Sequence, residues 1–270
     1  MIDCGEGAQS AFARQGFNMN RLGHIFISHN HGDHVFGLLG LISTMGLLGR
    51  TADLHIHGPQ QMEEFLHVLL HTYCEGMTYN VLFHPVDTAH HQIVHQDRSI
   101  TVWSIPLNHR IPCSGYLFRE APSLPHIRRE MIDAFGIPVS QINNIKAGAS
   151  WVTEDGTIIP NERLTTPAEP PRSYAYCSDT AYLPALSDLL KGTTLLYHEA
   201  TYPQELLARA QETCHSTACQ AAMIARDAEV GKLCIGHYSG RIKDEAAHLK
   251  EAAEIFPNTV LANEGLVLKL

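Results

Sequence analysis

The sequence contains 270 residues, of which 44% are hydrophobic and 17% are charged, as in a globular protein that buries a sizeable core. Its seven cysteines are scattered and include no CxxC pair, which argues against a disulfide framework and against a cysteine-based zinc knuckle. No apolar run approaches the roughly 18 residues that span a bilayer, and no basic-then-apolar leader opens the chain. We therefore expect a cytoplasmic protein with no membrane partner.

The net charge and the histidine content both bear on function. The net charge of −9 disfavours an extensive nucleic-acid interface, because phosphate groups attract basic surfaces, and it leaves room only for a local basic patch. The 18 histidines are many for this length, and histidine is the commonest protein ligand of zinc-like metals. The histidine content therefore calls for a functional explanation.

The predicted elements are short apolar strands that alternate with amphipathic helices, which indicates an α/β fold over residues 1–270. Strands are predicted, in chain order, at residues 24–28, 53–57, 100–105, 115–118, 174–177, 194–198 and 233–236. Helices are predicted at residues 60–73, 217–228 and 243–256.

Residues 120–172 differ from the rest of the chain. They are rich in proline, with Pro167, Pro170 and Pro171 close together, and they contain few strong strand signals. A long stretch of this kind between strands is usually functional or mobile. We interpret it as an inserted arm that protrudes from a single domain.

The densest group of polar residues is the sequence HNHGDH at residues 29–34, directly after the first predicted strand. The carboxyl edge of a strand is where open α/β sheets usually keep their sites. Packing gains nothing from crowding three imidazoles and a carboxylate, so metal binding is favoured over a histidine-rich surface loop. The adjacent residues Asp33 and His34 can rarely share one ion with His29 and His31, which makes two metal ions the natural interpretation.

Further ligands must come from other strand ends. His109, Asp179 and His237 each follow a predicted strand, in small or polar surroundings. Each alone is more often a satisfied core or surface residue than a ligand. Their shared placement after strands favours the metal site without settling it.

Several motifs together make the sequence similar to a known family. The segment SHNHGDH at residues 28–34 resembles the metallo-β-lactamase superfamily, and the chain as a whole resembles its ribonuclease Z branch of zinc endonucleases. The segments HEAT and HST are the more specific to this tRNA-processing branch. HEAT lies at 198–201 and HST at 215–217. The other matching motifs are DCGEG at 3–7, PLNH at 106–109, SDT at 178–180 and GHYSGR at 236–241.

The resemblance implies an αββα sandwich with two zinc ions per chain. Manganese or cobalt also suits a nitrogen and oxygen ligand set. One ion would be held by His29, His31 and His109, and the other by Asp33, His34 and His237, with Asp179 between them. We assign the remaining twelve histidines outside the site to packing or to the surface.

The resemblance also implies phosphodiester cleavage. A pair of zinc ions can hold a phosphodiester and activate water. Asp33 would accept a proton from the attacking water, His215 would protonate the leaving 3′ oxygen, and Glu199 would orient His215. On position alone His215 could simply precede a helix capped by Ser216, and Glu199 could be satisfied by backbone donors.

We expect from these features an endoribonuclease that removes the 3′ trailer from precursor tRNA and leaves a 3′-OH. The resemblance further implies a homodimer, in which one subunit's arm contacts tRNA bound at the other. Compared with the family pattern, the chain is expected to lack N-terminal strands. Two alternatives remain: a metallo-hydrolase of the same fold acting on another phosphodiester, thioester or lactam, and an inactive zinc-binding fragment.

Overall fold

The computed structural model describes residues 1–241 and 245–270. The chain divides into two compact units: one comprises Met1–Arg119 with Ser173–Leu270, and the other comprises Glu120–Arg172. Within the described ranges, no helix is long and apolar enough to cross a membrane.

The described residues contain 14 strands, numbered in chain order. They are β1 (His24–Phe26), β2 (Leu54–Pro59), β3 (Val81–Val86), β4 (Ile93–Gln96), β5 (Ile100–Pro106), β6 (Ser114–Glu120), β7 (His126–Ile127), β8 (Trp151–Val152), β9 (Ile158–Ile159), β10 (Thr165–Thr166), β11 (Ser173–Cys177), β12 (Leu195–Glu199), β13 (Lys232–Gly236) and β14 (Thr259–Leu261).

The helices are distributed among these strands. They are α1 (Ala8–Arg14), α2 (Gly32–Val35), α3 (Leu38–Leu47), α4 (Met62–Tyr73), α5 (Arg129–Ala134), α6 (Val139–Lys146), α7 (Asn161–Leu164), α8 (Leu186–Leu189), α9 (Leu207–Thr213), α10 (Ala218–Asp227) and α11 (Ala246–Ile255).

The first unit contains two sheets that face each other. One is a parallel sheet of order β1-β2-β3, and the other has seven strands in the order β14-β13-β12-β11-β6-β5-β4. Strands β11 to β14 are mutually parallel, and β6 is antiparallel to β11. Phe26 and Val86 of the smaller sheet pack with Val102 and Tyr116 of the larger one, so a shared apolar layer joins them.

Helices cover the outer face of each sheet. Leu41 and Ile42 of α3 pack with Ile25 and Ile56 of the three-stranded sheet. On the larger sheet, α10 and α11 contribute small apolar side chains to the core around β12 and β13. The first unit is therefore a four-layer αββα sandwich, and the predicted fold class is confirmed.

The seven predicted strands and three predicted helices are all present, with shifted ends. Strand β1 stops at Phe26 because the backbone N–H of Ser28 donates to the Asp3 carboxylate instead of to a neighbouring strand. Helix α10 is capped by Thr217, which forms a capping box with Gln220, so the alternative that Ser216 is the cap is wrong. Residues 243 and 244 of the third predicted helix lie outside the described residues.

Several elements were not predicted from the sequence. Strand β3 contains Pro85, and proline inside a run argues against a strand. Helix α3 is apolar on most of its surface and contains Gly40 and Gly46, so its helical period is weak. Strands β4 and β14 are too short to give a clear alternation.

The second unit, Glu120–Arg172, is more regular than its proline content indicates. Strand β7 pairs with β10 and β8 pairs with β9, both antiparallel. Ile137, Ile145 and Leu164 form part of its own small core. The ends of the unit meet where the guanidinium of Arg172 donates to both carboxylate oxygens of Glu120, at 2.6 and 3.0 Å.

Candidate metal centre

The predicted ligands all lie beyond the carboxyl ends of strands in the first unit. His29 and His31 are in the loop after β1, and Asp33 and His34 are in the short helix α2 that follows it. The other three come from the larger sheet: His109 follows β5, Asp179 follows β11 and His237 follows β13. The structure brings all seven side chains together in two groups.

The first group is formed by His29, His31, His109 and Asp179, whose potential ligand atoms lie within 4.8 Å of one another. Nδ1 of His31 lies 2.9 Å from Nε2 of His29 and 3.4 Å from Nε2 of His109. Oδ2 of Asp179 lies 3.7 Å from Nε2 of His29 and 3.9 Å from Nε2 of His109. Three imidazole nitrogens and one carboxylate oxygen thus converge on one point.

The second group is formed around the other oxygen of the same aspartate. Oδ1 of Asp179 lies 3.6 Å from Nε2 of His34 and 3.3 Å from Nε2 of His237. Oδ2 of Asp33 completes the group at 3.5 Å from Nε2 of His34 and 3.7 Å from Nε2 of His237. Asp179 therefore presents one carboxylate oxygen to each group.

Two buried atoms of this centre lack an ordinary partner. Among the described residues, Nε2 of His34 and Oδ1 of Asp179 have no hydrogen-bond partner, although both atoms are buried. A buried polar atom without a partner is costly, and coordination of a cation removes that cost. Imidazole nitrogens and carboxylate oxygens are the ligand types that zinc accepts. The residues present therefore fit a pair of metal ions.

Four of the five imidazoles, all except His31, are held by the nitrogen that does not face the centre. A hydrogen bond at Nδ1 fixes the tautomer and leaves Nε2 free as a ligand. These bonds join His29 to Ser28 Oγ (3.0 Å), His34 to Asp3 Oδ2 (2.7 Å), His109 to the carbonyl oxygen of Cys214 (3.0 Å) and His237 to Thr201 Oγ1 (3.0 Å).

Asp3 was not identified as a site residue from the sequence, although it belongs to the DCGEG motif. Its carboxylate accepts hydrogen bonds from the backbone N–H and hydroxyl of Ser28, from Tyr176 and from His34. The residue adopts a φ of 51°, which lies in the left-handed region that few non-glycine residues occupy. The motif itself, an acidic residue before glycines, is the signal that could have indicated this role.

Glycine permits the DCGEG segment to approach the HNHGDH loop closely. A Cβ on Gly5 would overlap the carbonyl oxygen of Asp33, and a Cβ on Gly37 would overlap the carbonyl oxygen of Gly5. These positions require glycine because the backbones are in contact. The close approach places Asp3 beside His34.

The electrostatics of the centre favour a bound cation. Burial, together with neighbouring imidazoles, lowers the pKa of His29 to about 2, so its ring is neutral and able to act as a ligand. Burial opposes the charged form of His237, yet the carboxylates of Asp33, Asp179 and Glu199 raise its pKa to about 9. The centre therefore carries an excess of negative potential, which a cation would neutralise.

His215 and Glu199 lie beside the two groups. The His215 ring centroid is 5.2 Å from that of His109 and 5.5 Å from that of His237. Nδ1 of His215 lies 2.9 Å from Oε1 of Glu199, so the two predicted catalytic residues contact each other. The buried carboxylate of Glu199 also accepts hydrogen bonds from the Thr201 hydroxyl and from the backbone N–H groups of Thr180, Thr201 and Ser216.

The ionisation of Glu199 follows from this environment. Burial raises the pKa of its carboxyl group, but the hydrogen bonds from His215, Thr201 and the backbone outweigh burial and lower it below the ordinary value. An ionised Glu199 accepts a hydrogen bond from Nδ1–H of His215, which leaves Nε2 of that ring as the nitrogen available to a substrate. Both expected partners of Glu199, the histidine and backbone donors, are thus present.

Comparison with known proteins gives three kinds of similarity. Residues 1–110 match the family model described as Anti-Pycsar protein Apyc1. The ribonuclease Z of Bacteroides fragilis is 54% identical over 270 residues, covering 100% of this chain and 89% of that protein. Human tRNase Z, short form, has a TM-score of 0.69 at 21% identity and covers 99% of this chain and 86% of that one. The metallo-beta-lactamase fold protein YhfI from Bacillus subtilis has a TM-score of 0.64 at 17% identity, with coverages of 98% and 84%.

The structural similarity at low identity establishes the fold, and the sequence identity over the full chain establishes the family. On both grounds, this chain belongs to the ribonuclease Z family and has the metallo-β-lactamase fold.

Proposed function

We propose that the chain is a metal-dependent endoribonuclease that removes the 3′ trailer from precursor tRNA in the cytoplasm and leaves a 3′-OH on the tRNA. The proposal rests above all on the 54% identity over 270 residues to a protein named ribonuclease Z. The metal-suited centre and the adjoining pair of His215 and Glu199 give a chemical basis for such an activity.

The proposed ligands divide between two zinc ions. His29, His31 and His109 would hold one ion, and Asp33, His34 and His237 the other, with Asp179 shared. When bound, two such ions supply Lewis-acid activation of water and stabilise charge on a phosphodiester. Mn²⁺ and Co²⁺ suit the same nitrogen and oxygen donors, so metal identity is part of the proposal.

Asp33 is proposed to accept the proton of the attacking water. Its side chain is 67% exposed, whereas that of Asp179 is 4% exposed, so Asp33 is the carboxylate of the centre that solvent can reach. The nearby imidazoles of His237 and His34 lower the pKa of Asp33 well below its usual value. An ionised and accessible carboxylate can orient water and take its proton.

His215 is proposed to deliver a proton to the leaving 3′ oxygen of the tRNA. Because Nδ1 is engaged by Glu199, the proton would be delivered from Nε2. The ionised Glu199 accepts the hydrogen bond from Nδ1 and fixes the ring orientation, by the same logic as an aspartate behind a catalytic histidine. Glu199 is thus a positioning residue, and His215 is the group that would touch the substrate.

Residues 120–172 are proposed to act as an arm that contacts tRNA. The unit has its own core, and its five cations, Arg128, Arg129, Lys146, Arg163 and Arg172, are balanced by seven acidic residues, so contacts to phosphate would come from individual cations. Phosphate contacts from such a unit position a nucleic acid without reading its sequence. We further propose a homodimer in which the arm of one subunit contacts tRNA bound at the other.

The experiment that tests the proposal compares two substrates with the zinc-loaded chain. One is a precursor tRNA with a 3′ trailer, and the other is a small chromogenic phosphodiester. We expect cleavage of the precursor at a single position at the 3′ end of the tRNA. Hydrolysis of the small ester alone would favour the alternative of a metallo-hydrolase with another phosphodiester substrate, and zinc binding without any turnover would favour the inactive alternative.

A further inference from the structure

The first unit contains a second group of histidines, separate from the centre around Asp179. It consists of His24 on β1, His55 and His57 on β2, His84 on β3 and His95 on β4. His24 begins β1, whereas His29 follows the carboxyl end of that strand, so the two groups lie toward opposite ends of β1. The rings of His24, His55, His57 and His84 form one contiguous stack, with centroids 4.7 Å apart for His24 and His55. The ring of His95 is tilted against that of His24, with centroids 4.2 Å apart.

Three of these side chains converge in the way metal ligands do. The potential ligand atoms of His24, His57 and His95 all lie within 4.8 Å of one another. Nδ1 of His24 and Nε2 of His57 are 3.1 Å apart. The corresponding separations in the Asp179 centre are between 2.9 and 3.9 Å. Two nitrogens that bind one zinc tetrahedrally at about 2.05 Å lie about 3.3 Å apart, so this spacing is suitable.

Burial leaves one ring of this group without a full set of hydrogen bonds. His57 is only 3% exposed, and its Nδ1 has no hydrogen-bond partner among the described residues. Simple packing does not explain this, because an apolar ring such as that of Phe26, which stacks on His57 at 4.5 Å, would fill the space without an unsatisfied nitrogen. The other ring nitrogen, Nε2, faces Nδ1 of His24, and a metal ion bound at Nε2 would account for histidine at this position.

The charge state of the group suits a metal ion. Burial and the neighbouring imidazoles lower the pKa of His24 to about 4 and that of His57 to about 3, so both rings are neutral at neutral pH. Neutral imidazole is the form that coordinates metals. The carboxylate of Asp97 lies 3.7 Å from Nε2 of His95 and supplies a negative charge beside the group, as carboxylates behind metal-bound histidines do.

We propose that His24, His57 and His95 form a further site for a zinc-like divalent transition metal ion. His55 and His84, whose Nδ1 and Nε2 are 2.9 Å apart, flank the three ligands and hold the stack in place. The ligands come from both sheets, since β1 and β2 belong to the smaller sheet and β4 to the larger one. The ion would therefore tie the two sheets together, and its role is structural.

The test is the zinc content of the full chain, measured by mass spectrometry after dialysis against metal-free buffer. The double variant His24→Ala/His95→Ala is expected to retain roughly one zinc ion per chain fewer than the unaltered protein. The matched control removes two exposed histidines from elsewhere, His71→Ala/His126→Ala, and is expected to lose none. Equal zinc content in the double variant and the unaltered protein would overturn the proposal.

A second measurement decides the matter if the double variant does not fold. Crystals of the unaltered chain, grown with zinc, are measured on both sides of the zinc absorption edge. The proposal requires an anomalous peak within bonding distance of the imidazoles of His24, His57 and His95. Density at the Asp179 centre with none among these three rings would refute it, and this outcome is independent of whether the chain cleaves tRNA.

Discussion

Oδ2 of Asp3 lies 2.7 Å from Nδ1 of His34, although the two residues are 31 positions apart in the chain. The carboxylate accepts a hydrogen bond from Nδ1–H, so the tautomer of His34 is fixed and its Nε2 is directed toward Asp33 and Asp179. A residue in one motif thereby orients a proposed metal ligand in another.

Removing this carboxylate is expected to weaken metal binding. The variant Asp3→Ala leaves His34 free to rotate or to change tautomer, and we expect an affinity loss of about 10- to 100-fold for one of the two ions. A competition titration with a chromogenic chelator measures it. Glu6→Ala, an exposed carboxylate in the same motif, is the matched control, and equal affinities in the two variants would contradict a positioning role for Asp3.

Replacing Asp179 is expected to affect both ions at once. Its two oxygens face different groups of imidazoles, so Asp179→Ala removes a ligand from each. We expect the purified variant to lose metal from both sites and to lose cleavage activity by more than about 100-fold. Asp33→Ala, which removes a ligand from the second group alone, should keep the metal of the first. Retention of both ions by Asp179→Ala would exclude the shared position.

His215 and His31 are expected to respond differently to the same change. His215→Ala should retain its metal and lose about 10²- to 10⁴-fold in kcat, because the proposed general acid is removed. His31→Ala should lose metal, since its Nδ1 lies between His29 and His109. Metal content and cleavage rates of the two variants, measured side by side, test this division. Equal metal loss in both would show that the division between ligand and acid is wrong.

The metal-free chain is expected to lose stability in mild acid. The folded-state pKa values of His24 and His57, about 4 and about 3, lie below the ordinary value of 6.5. The unfolded chain therefore binds more protons in this window, and the stability that these rings contribute above pH 6.5 is lost as the pH falls toward 4. His237, with a pKa raised to about 9, contributes stability that is fully present below pH 6.5, so it does not reverse the expected loss of stability between pH 6.5 and pH 4.

Urea unfolding at pH 7 and pH 5 in the presence of a chelator measures this dependence. A lower midpoint is expected at pH 5. The difference between the two midpoints should be smaller in His24→Phe, which cannot take up a proton at that position. An identical difference in the variant and the unaltered chain would mean that other groups cause the acid sensitivity.

The proposed ligands could be predicted from the sequence because each follows a strand directly. The segment HNHGDH is dense enough to stand out by itself, and His109, Asp179 and His237 share its position after a strand. Parallel strands bring such positions to one edge of a sheet whatever the details of packing. The αββα arrangement could be predicted through the family resemblance and the alternation of elements.

Other features depend on distances that the local sequence does not encode. Asp3 reaches His34 only because Gly5 and Gly37 allow two backbones to touch. The convergence of His24 with His57 depends on the register of β1 against β2. The convergence of His24 with His95 depends on how the two sheets face each other. Helix α3 was missed because apolar residues cover most of its surface, which hides its period.

The chemical groups at the ends of the cleaved RNA show which oxygen leaves the phosphorus. If His215 protonates the 3′ oxygen of the tRNA in a metal-dependent cleavage, the tRNA fragment must carry a 3′-hydroxyl and the released trailer a 5′-phosphate. We expect these termini when zinc-loaded protein acts on a precursor tRNA, and we expect no cleavage after chelation. A tRNA fragment ending in a 3′-phosphate or a 2′,3′-cyclic phosphate would contradict it.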